Sequence, residues 1–172
     1  LTRKDRFTNK YYDCSAHFVW IGERTRQLEN GHVEFFRGIN NPIGIKISNK
    51  IEPRELVNLI MTLNPKNEHG KICLISRMGF QIENSLPDLI DIVKQQGLNV
   101  IWICDPMHGN GKVIDGIKTR YYDDIVKEVD SFFKIHKEKG TIAGGIHLEM
   151  TGNDVTECIG GKYIVKQKNK NF

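Results

Sequence analysis

The sequence predicts an α/β fold built on parallel strands, and within that class a (β/α)8 barrel of which the chain supplies about strands 4 to 8. Three observations lead there. Short, continuous apolar runs recur along the chain, the segments between them carry helical periodicity with start and stop residues, and every run ends in charged or metal-competent side chains. Continuous runs of this kind suit strands buried on both faces, as parallel strands are.

The runs cover residues 16–21, 43–47, 71–75, 100–103 and 141–148. The first ends in Gly22-Glu23-Arg24, the second carries Lys46, and the third ends in Ser76-Arg77. The fourth leads into Asp105-Pro-Met-His108 and the fifth into Glu149. Between them a first short helix is predicted at 32–36. A second starts at Pro53, whose missing N–H costs nothing in a first turn, and buries Leu56, Val57, Leu59, Ile60 and Leu63 before Asn64-Pro65 stops it. Ser85 with Asp88 three residues on predicts a capping box for a third helix, with Leu86, Leu89, Ile90 and Val93 inward and Gly97 as terminator. The fourth runs over 122–139, with Ile125, Val129, Phe132, Phe133 and His136 on one side. At that spacing His136 is a packing residue rather than a ligand. Strand-to-strand spacing of roughly 25 to 45 residues is what βαβ crossovers require.

Two architectures share this element order, an open doubly wound sheet and a barrel. No GxGxxG or GxxxxGK[ST] follows a strand, so the common nucleotide-binding open sheets are excluded. An open sheet gathers its ligand at one switch point, whereas in a barrel every C-terminal strand end rings a single site. Five strand ends bearing functional groups therefore favour the barrel. A whole barrel takes about 250 residues, so these 172 residues are expected to form one partial catalytic domain, with 162–172 a frayed basic tail.

Composition narrows the function classes. With 39% apolar residues the chain is globular, and its formal net charge of +4 lies largely in the tail and the strand-end cations. No apolar run approaches the roughly 20 residues of a membrane span, and the polar, basic first ten residues do not form a signal peptide. No aromatic platforms interleave with the basic residues, so neither nucleic acid nor membrane is expected as a partner. Cys14, Cys73, Cys104 and Cys158 lack zinc-ribbon spacing; Cys73 and Cys104 fall in predicted strands and read as reduced thiols of a cytosolic protein.

Arg24, Lys46 and Arg77 on successive strand ends repel one another unless an anion joins them, and a phosphate or carboxylate matches the guanidinium fork and the ammonium point charge. His108 and Glu149 on adjacent strand ends are a metal-competent pair for a first-row divalent ion, with a thiolate, carboxylate or water completing the shell. Asp105 is placed to orient a water or accept a proton.

Six motifs in order, Phe18-Val-Trp-Ile-Gly-Glu-Arg-Thr-Arg-Gln, Asn41-Pro-Ile-Gly-Ile-Lys, Ser76-Arg-Met-Gly, Trp102-Ile-Cys-Asp-Pro-Met-His-Gly-Asn, Lys118-Thr-Arg and Gly145-Ile-His-Leu-Glu-Met-Thr-Gly, closely resemble type II 3-deoxy-D-arabino-heptulosonate 7-phosphate (DAHP) synthases over residues 13–161. The resemblance implies a cytoplasmic enzyme (plastid if from a plant), homo-oligomeric at full length. It would condense phosphoenolpyruvate with erythrose 4-phosphate in the first step of the shikimate pathway, with Mn²⁺ or Co²⁺. It implies Glu23, Arg24, Lys46 and Arg77 at the phosphoenolpyruvate site, His108 and Glu149 as metal ligands, and Lys46 and Asp105 as catalytic groups. The family's early-strand cysteine ligand, its late Cys-Asp-Pro-Arg aspartate and an early-strand arginine have no counterpart here. The alternative is a non-catalytic remnant of that enzyme with an incomplete metal site. An aldolase of the Schiff-base kind is disfavoured for want of a matching lysine motif.

Five barrel strands leave two unpaired edges and an apolar inner face. The 172-residue chain alone is therefore predicted to self-associate or to need a partner; light scattering that shows a monodisperse monomer with a cooperative melt would contradict this.

Overall fold

The computed structural model describes residues 1–114, 116–153 and 158–161; the tail expectation for 162–172 lies outside them. In chain order, β1 (Thr2–Lys4) and β2 (Tyr11–Asp13) form an antiparallel hairpin, and β3 (Val19–Ile21) opens the main sheet. Then follow α1 (Gly31–Arg37), β4 (Ile43–Ile47), α2 (Pro53–Leu63), β5 (Ile72–Ser76), α3 (Ile82–Gln95) and β6 (Val100–Cys104). The remaining elements are β7 (Lys112–Ile114), β8 (Ile117–Tyr121), α4 (Tyr122–Glu138), β9 (Ala143–Ile146) and β10 (Cys158–Ile159).

The main sheet has the order β3-β4-β5-β6-β9, and every pair in it is parallel. These five strands are the five apolar runs of the sequence. The alternation of strand and helix is thus the α/β architecture expected. A second sheet of order β10-β8-β7 stands beside it, and neither it nor the β1–β2 hairpin was foreseen. Both are short and largely exposed, so they carry no apolar periodicity to find.

The two faces of the main sheet differ. Ile21, Ile43, Ile45, Ile47, Ile72, Leu74, Trp102 and Cys104 point to one side and join a single core cluster with buried residues of all four helices, among them Phe36, Leu59, Leu86 and Phe132. The alternate positions face the other way, where Trp20 and Ile101 remain exposed. Gly44 lies on that second face, and a Cβ there would sit 2.7–2.9 Å from Phe18, Ile75 and Trp20 side chains, so only glycine lets β3 and β4 pack as they do. None of the described helices is long and apolar enough to cross a membrane.

Two helix expectations need correction. Ser85 is not a cap: α3 starts at Ile82, three residues earlier, and contains Pro87. Ile82 is buried and extends the stripe through Leu86, Leu89, Ile90 and Val93 by one turn; its burial, worth about 2 kcal/mol, exceeds the one helix hydrogen bond that Pro87 forgoes. In α4 the inward stripe holds Phe132, Ile135 and His136, while Phe133 is half-exposed.

His136 does pack in the core. Its ring lies against Phe132 and Trp102 (centroids 4.5 and 5.7 Å), Nδ1 is 2.7 Å from Thr141 Oγ1, and Nε2 has no partner among the described residues. Burial pushes its pKa down to about 4. Above the ordinary pKa near 6.5 both folded and unfolded chains hold it neutral, so it costs nothing there. As the pH falls below that value the unfolded state takes the proton first, and stability drops until the folded value is reached. Denaturation from pH 7 to 4 should show a loss of about 3 kcal/mol attributable to this site, absent in His136→Gln; equal pH slopes in the two proteins would refute it.

Candidate functional site

Parallel strands deliver their C-terminal ends to one edge of a sheet, and the charged residues of the sequence meet at that edge. Lys46 sits on the second face of β4. Asp105 follows β6 on the same side, its backbone N–H continuing the ladder to Ser76 O at 2.7 Å. β5 lies between them, so the two backbones are about 10 Å apart and the long lysine stem closes the gap. Lys46 Nζ is 3.2 Å from Asp105 Oδ2 and lies 4.2 Å from the centroid of the Trp20 ring, a cation–π contact.

Asp105 is wholly buried. Its Oδ1 accepts the Met107 and His108 backbone N–H groups at 3.1 and 3.2 Å, and Oδ2 is 2.8 Å from His108 Nδ1. Burial works against ionisation, but the charges of His108 and Lys46 and the His108 amide outweigh it and hold the carboxyl below its ordinary range. Glu149, in the loop after β9, places Oε2 at 3.4 Å from His108 Nε2 and Oε1 at 4.0 Å from Lys46 Nζ.

That pairing is suited to a cation. With Nδ1–H donated to Asp105, a neutral His108 would present an Nε2 lone pair to the Glu149 carboxylate, and two acceptors 3.4 Å apart repel unless a proton or a metal ion lies between them. An imidazole whose far nitrogen is held by a carboxylate is also the usual arrangement of a metal-binding histidine. The donor chemistry of His108 and Glu149 therefore fits one side of a coordination shell. Among the described residues no set of three or more His, Cys, Asp or Glu could hold an ion.

The anion-binding candidates form a second, adjacent cluster. A cavity of about 530 Å³ is lined by Glu23, Arg24, Arg26, Ser48, Lys50 and Arg77, with Gly109 at its border. Glu23 and Arg24 lie in a one-turn 3₁₀ helix straight after β3, which turns both side chains back over the sheet edge. Lys46 does not line this cavity; it belongs to the Asp105 cluster. Arg77 joins the two, because its Nη2 donates to His108 O at 2.6 Å.

Three residues here were not singled out from sequence. Arg26 is buried and pairs with Glu55 and, at 3.2 Å, with Glu23 Oε1, which also accepts from Ser48 Oγ at 2.6 Å. Glu23 is thus fixed by one oxygen while its Oε2 is buried with no partner among the described residues. The three-residue spacing of Glu23 and Arg26 was the available signal. Trp20 alternates out of the helix-packed face and could have been found by parity, whereas Asn110, which donates to Glu128 Oε2 at 2.7 Å, stood in the sequence only as the last residue of the 102–110 motif.

The chain matches the model of the Class-II DAHP synthetase family over residues 1–171. It is 50% identical over 163 residues to the phospho-2-dehydro-3-deoxyheptonate aldolase of Streptomyces coelicolor, covering 94% of this chain and 36% of that protein. Against a probable chloroplastic phospho-2-dehydro-3-deoxyheptonate aldolase of Catharanthus roseus it is 50% identical over 167 residues, 96% of this chain and 32% of the relative. The Neurospora crassa protein of the same name is 49% identical over 156 residues, 88% and 32% respectively. The chain spans about a third of the length of these curated relatives.

Removing the lysine from a buried carboxylate should cost more than removing both charges. Lys46→Met is expected to lose about 3 kcal/mol at pH 7 in denaturant melts, and Lys46→Met with Asp105→Asn appreciably less. A double variant as unstable as the sum of the singles would show that the two groups do not depend on each other.

Proposed function

The chain belongs to the Class-II DAHP synthetase family, and from that membership we propose that it supplies the later strands of a (β/α)8 catalytic barrel that condenses phosphoenolpyruvate with erythrose 4-phosphate. The observation that carries the proposal is the placing of an anion cavity beside a cation-seeking His108–Glu149 pair on the C-terminal edge of one parallel sheet. The barrel itself is supported by the sheet's asymmetry. All four described helices pack on one face, whereas a doubly wound sheet takes helices on both and a barrel only on its outside.

Arg24 and Arg77 would hold the phosphate and carboxylate of phosphoenolpyruvate, with Glu23 fixing Arg26 and Ser48 at the cavity wall. His108 and Glu149 would hold a divalent ion such as Mn²⁺ or Co²⁺, which supplies Lewis-acid polarisation of the sugar's aldehyde oxygen. The methylene carbon of phosphoenolpyruvate forms the new bond to the aldehyde carbon. The positive charge left on its C2 is met by water, and after loss of a proton the C–O bond to phosphate breaks, giving DAHP and inorganic phosphate. Lys46, held by Asp105 and the Trp20 ring, would stabilise the anionic groups in that sequence, and Asp105 would keep His108 Nε2 facing Glu149. We place the reaction in the cytoplasm, or in the plastid should the source be a plant.

A polypeptide containing these residues should consume phosphoenolpyruvate only with erythrose 4-phosphate and a divalent metal present, releasing one phosphate per DAHP. Arg77→Ala should lower kcat/KM by roughly 100-fold. Turnover that is indifferent to chelators would refute the reading. The 172-residue chain assayed alone decides the remnant alternative, since measurable condensation would exclude it.

A further inference from the structure

A carboxylate in the middle of a packed helix costs several kcal/mol unless hydrogen bonds repay its desolvation. Glu128 of α4 is such a group, 2% exposed. What it meets is not another helix but two loops. Its Oε1 accepts the Met78 backbone N–H at 2.7 Å, with the Gly79 amide also bonded to the carboxylate. Its Oε2 accepts Asn110 Nδ2–H at 2.7 Å, and the same Asn110 amide group donates to Pro106 O at 2.9 Å. One loop carries Arg77, the other His108.

The loops also touch each other directly. A Cβ on Gly79 would lie 2.6 Å from Gly109 O, and one on Gly109 would lie 2.5 Å from Gly79 N. Gly79 has φ +58, so its conformation as well as its closeness requires glycine. Together with the Arg77 bond to His108 O, these contacts form a zipper that Glu128 anchors to the helical layer.

We propose that Glu128 is a positioning residue that locks the Arg77 turn and the His108 loop into one rigid unit, so setting the spacing between the guanidinium and the imidazole. This rests on the roles given above to Arg77 and His108. A merely space-filling residue in α4 would affect global stability alone; a lock must affect both loops and what Arg77 binds.

The test uses the 172-residue chain, with inorganic phosphate as the probe and hydrogen exchange by mass spectrometry over 77–81 and 105–111. Ser131→Ala, which removes the neighbouring bond from α4 to Glu83, is the control for general loosening of the helix. Glu128→Ala is expected to speed exchange of both loops and weaken phosphate roughly tenfold, the loss of about one charge-assisted hydrogen bond, while Ser131→Ala does neither. Glu128→Gln retains one acceptor, which the two backbone amides demand, and turns an NH₂ toward Asn110; it should release 105–111 and leave 77–81 protected. Should Glu128→Ala not fold, the split response of Glu128→Gln decides. Wild-type phosphate affinity and wild-type exchange in the folded variants would overturn the proposal alone. A wild-type chain that does not bind phosphate would overturn the anion-site reading and this inference with it.

Discussion

The buried carboxylate of Asp105 is the constraint on which the site depends. An ion with no exposure is tolerated only where charge and hydrogen bonds surround it, and each partner it recruits fixes one part of the site. Lys46 must cross two strand spacings to reach it, which commits the stem to the face of β4 away from the helices and its ammonium to the Trp20 ring. His108 must turn Nδ1 inward, which sends Nε2 toward Glu149. The two backbone amides that Asp105 accepts bend the chain after β6, so that His108 O falls within reach of Arg77.

Much of this was legible because burial on both faces leaves a strong trace. β4, β5 and β6 are continuous apolar runs, and their charged ends named the rim. The helices were legible in extent more than in detail. Ser85 looked like a cap because local chemistry favours it, yet the core contact of Ile82 moved the start of α3 upstream. Phe133 and Ile135 are equally apolar, and only the rotation of α4 against the sheet chooses between them. Glu128 was invisible for a different reason: a glutamate among Lys127, Asp130 and Lys134 reads as solvated surface, and its loop partners lie 50 and 18 residues away.

The loops of this edge are cross-linked to one another and to the helices. Loop residues ordinarily pay for their freedom with imprecision, but here the β5 and β6 loops are joined backbone to backbone at Gly79 and Gly109 and tied to α4. Arg26 does the equivalent for the first strand end, gripping Glu23 from one side and Glu55 of α2 from the other. Glu23 and the loops of Arg77 and His108 are thereby referred to helices that pack on the opposite face of the sheet.

Two clusters of opposite demand result. Arg24, Lys50 and Arg77 give one cavity an unfilled need for negative charge, while the His108–Glu149 pair needs positive charge between its lone pairs. Arg77 is drawn to the neutral His108 carbonyl, and Lys46 is shared between Asp105 at 3.2 Å and Glu149 at 4.0 Å. A ligand that satisfies both must carry an anionic group at one end and bring its electron-rich oxygen to a bound cation at the other. A phosphorylated enol meeting an aldehyde at a metal ion meets that requirement. The charge pattern of the edge, a cation-lined cavity beside an imidazole–carboxylate pair, thus constrains the chemistry more tightly than the parallel sheet does.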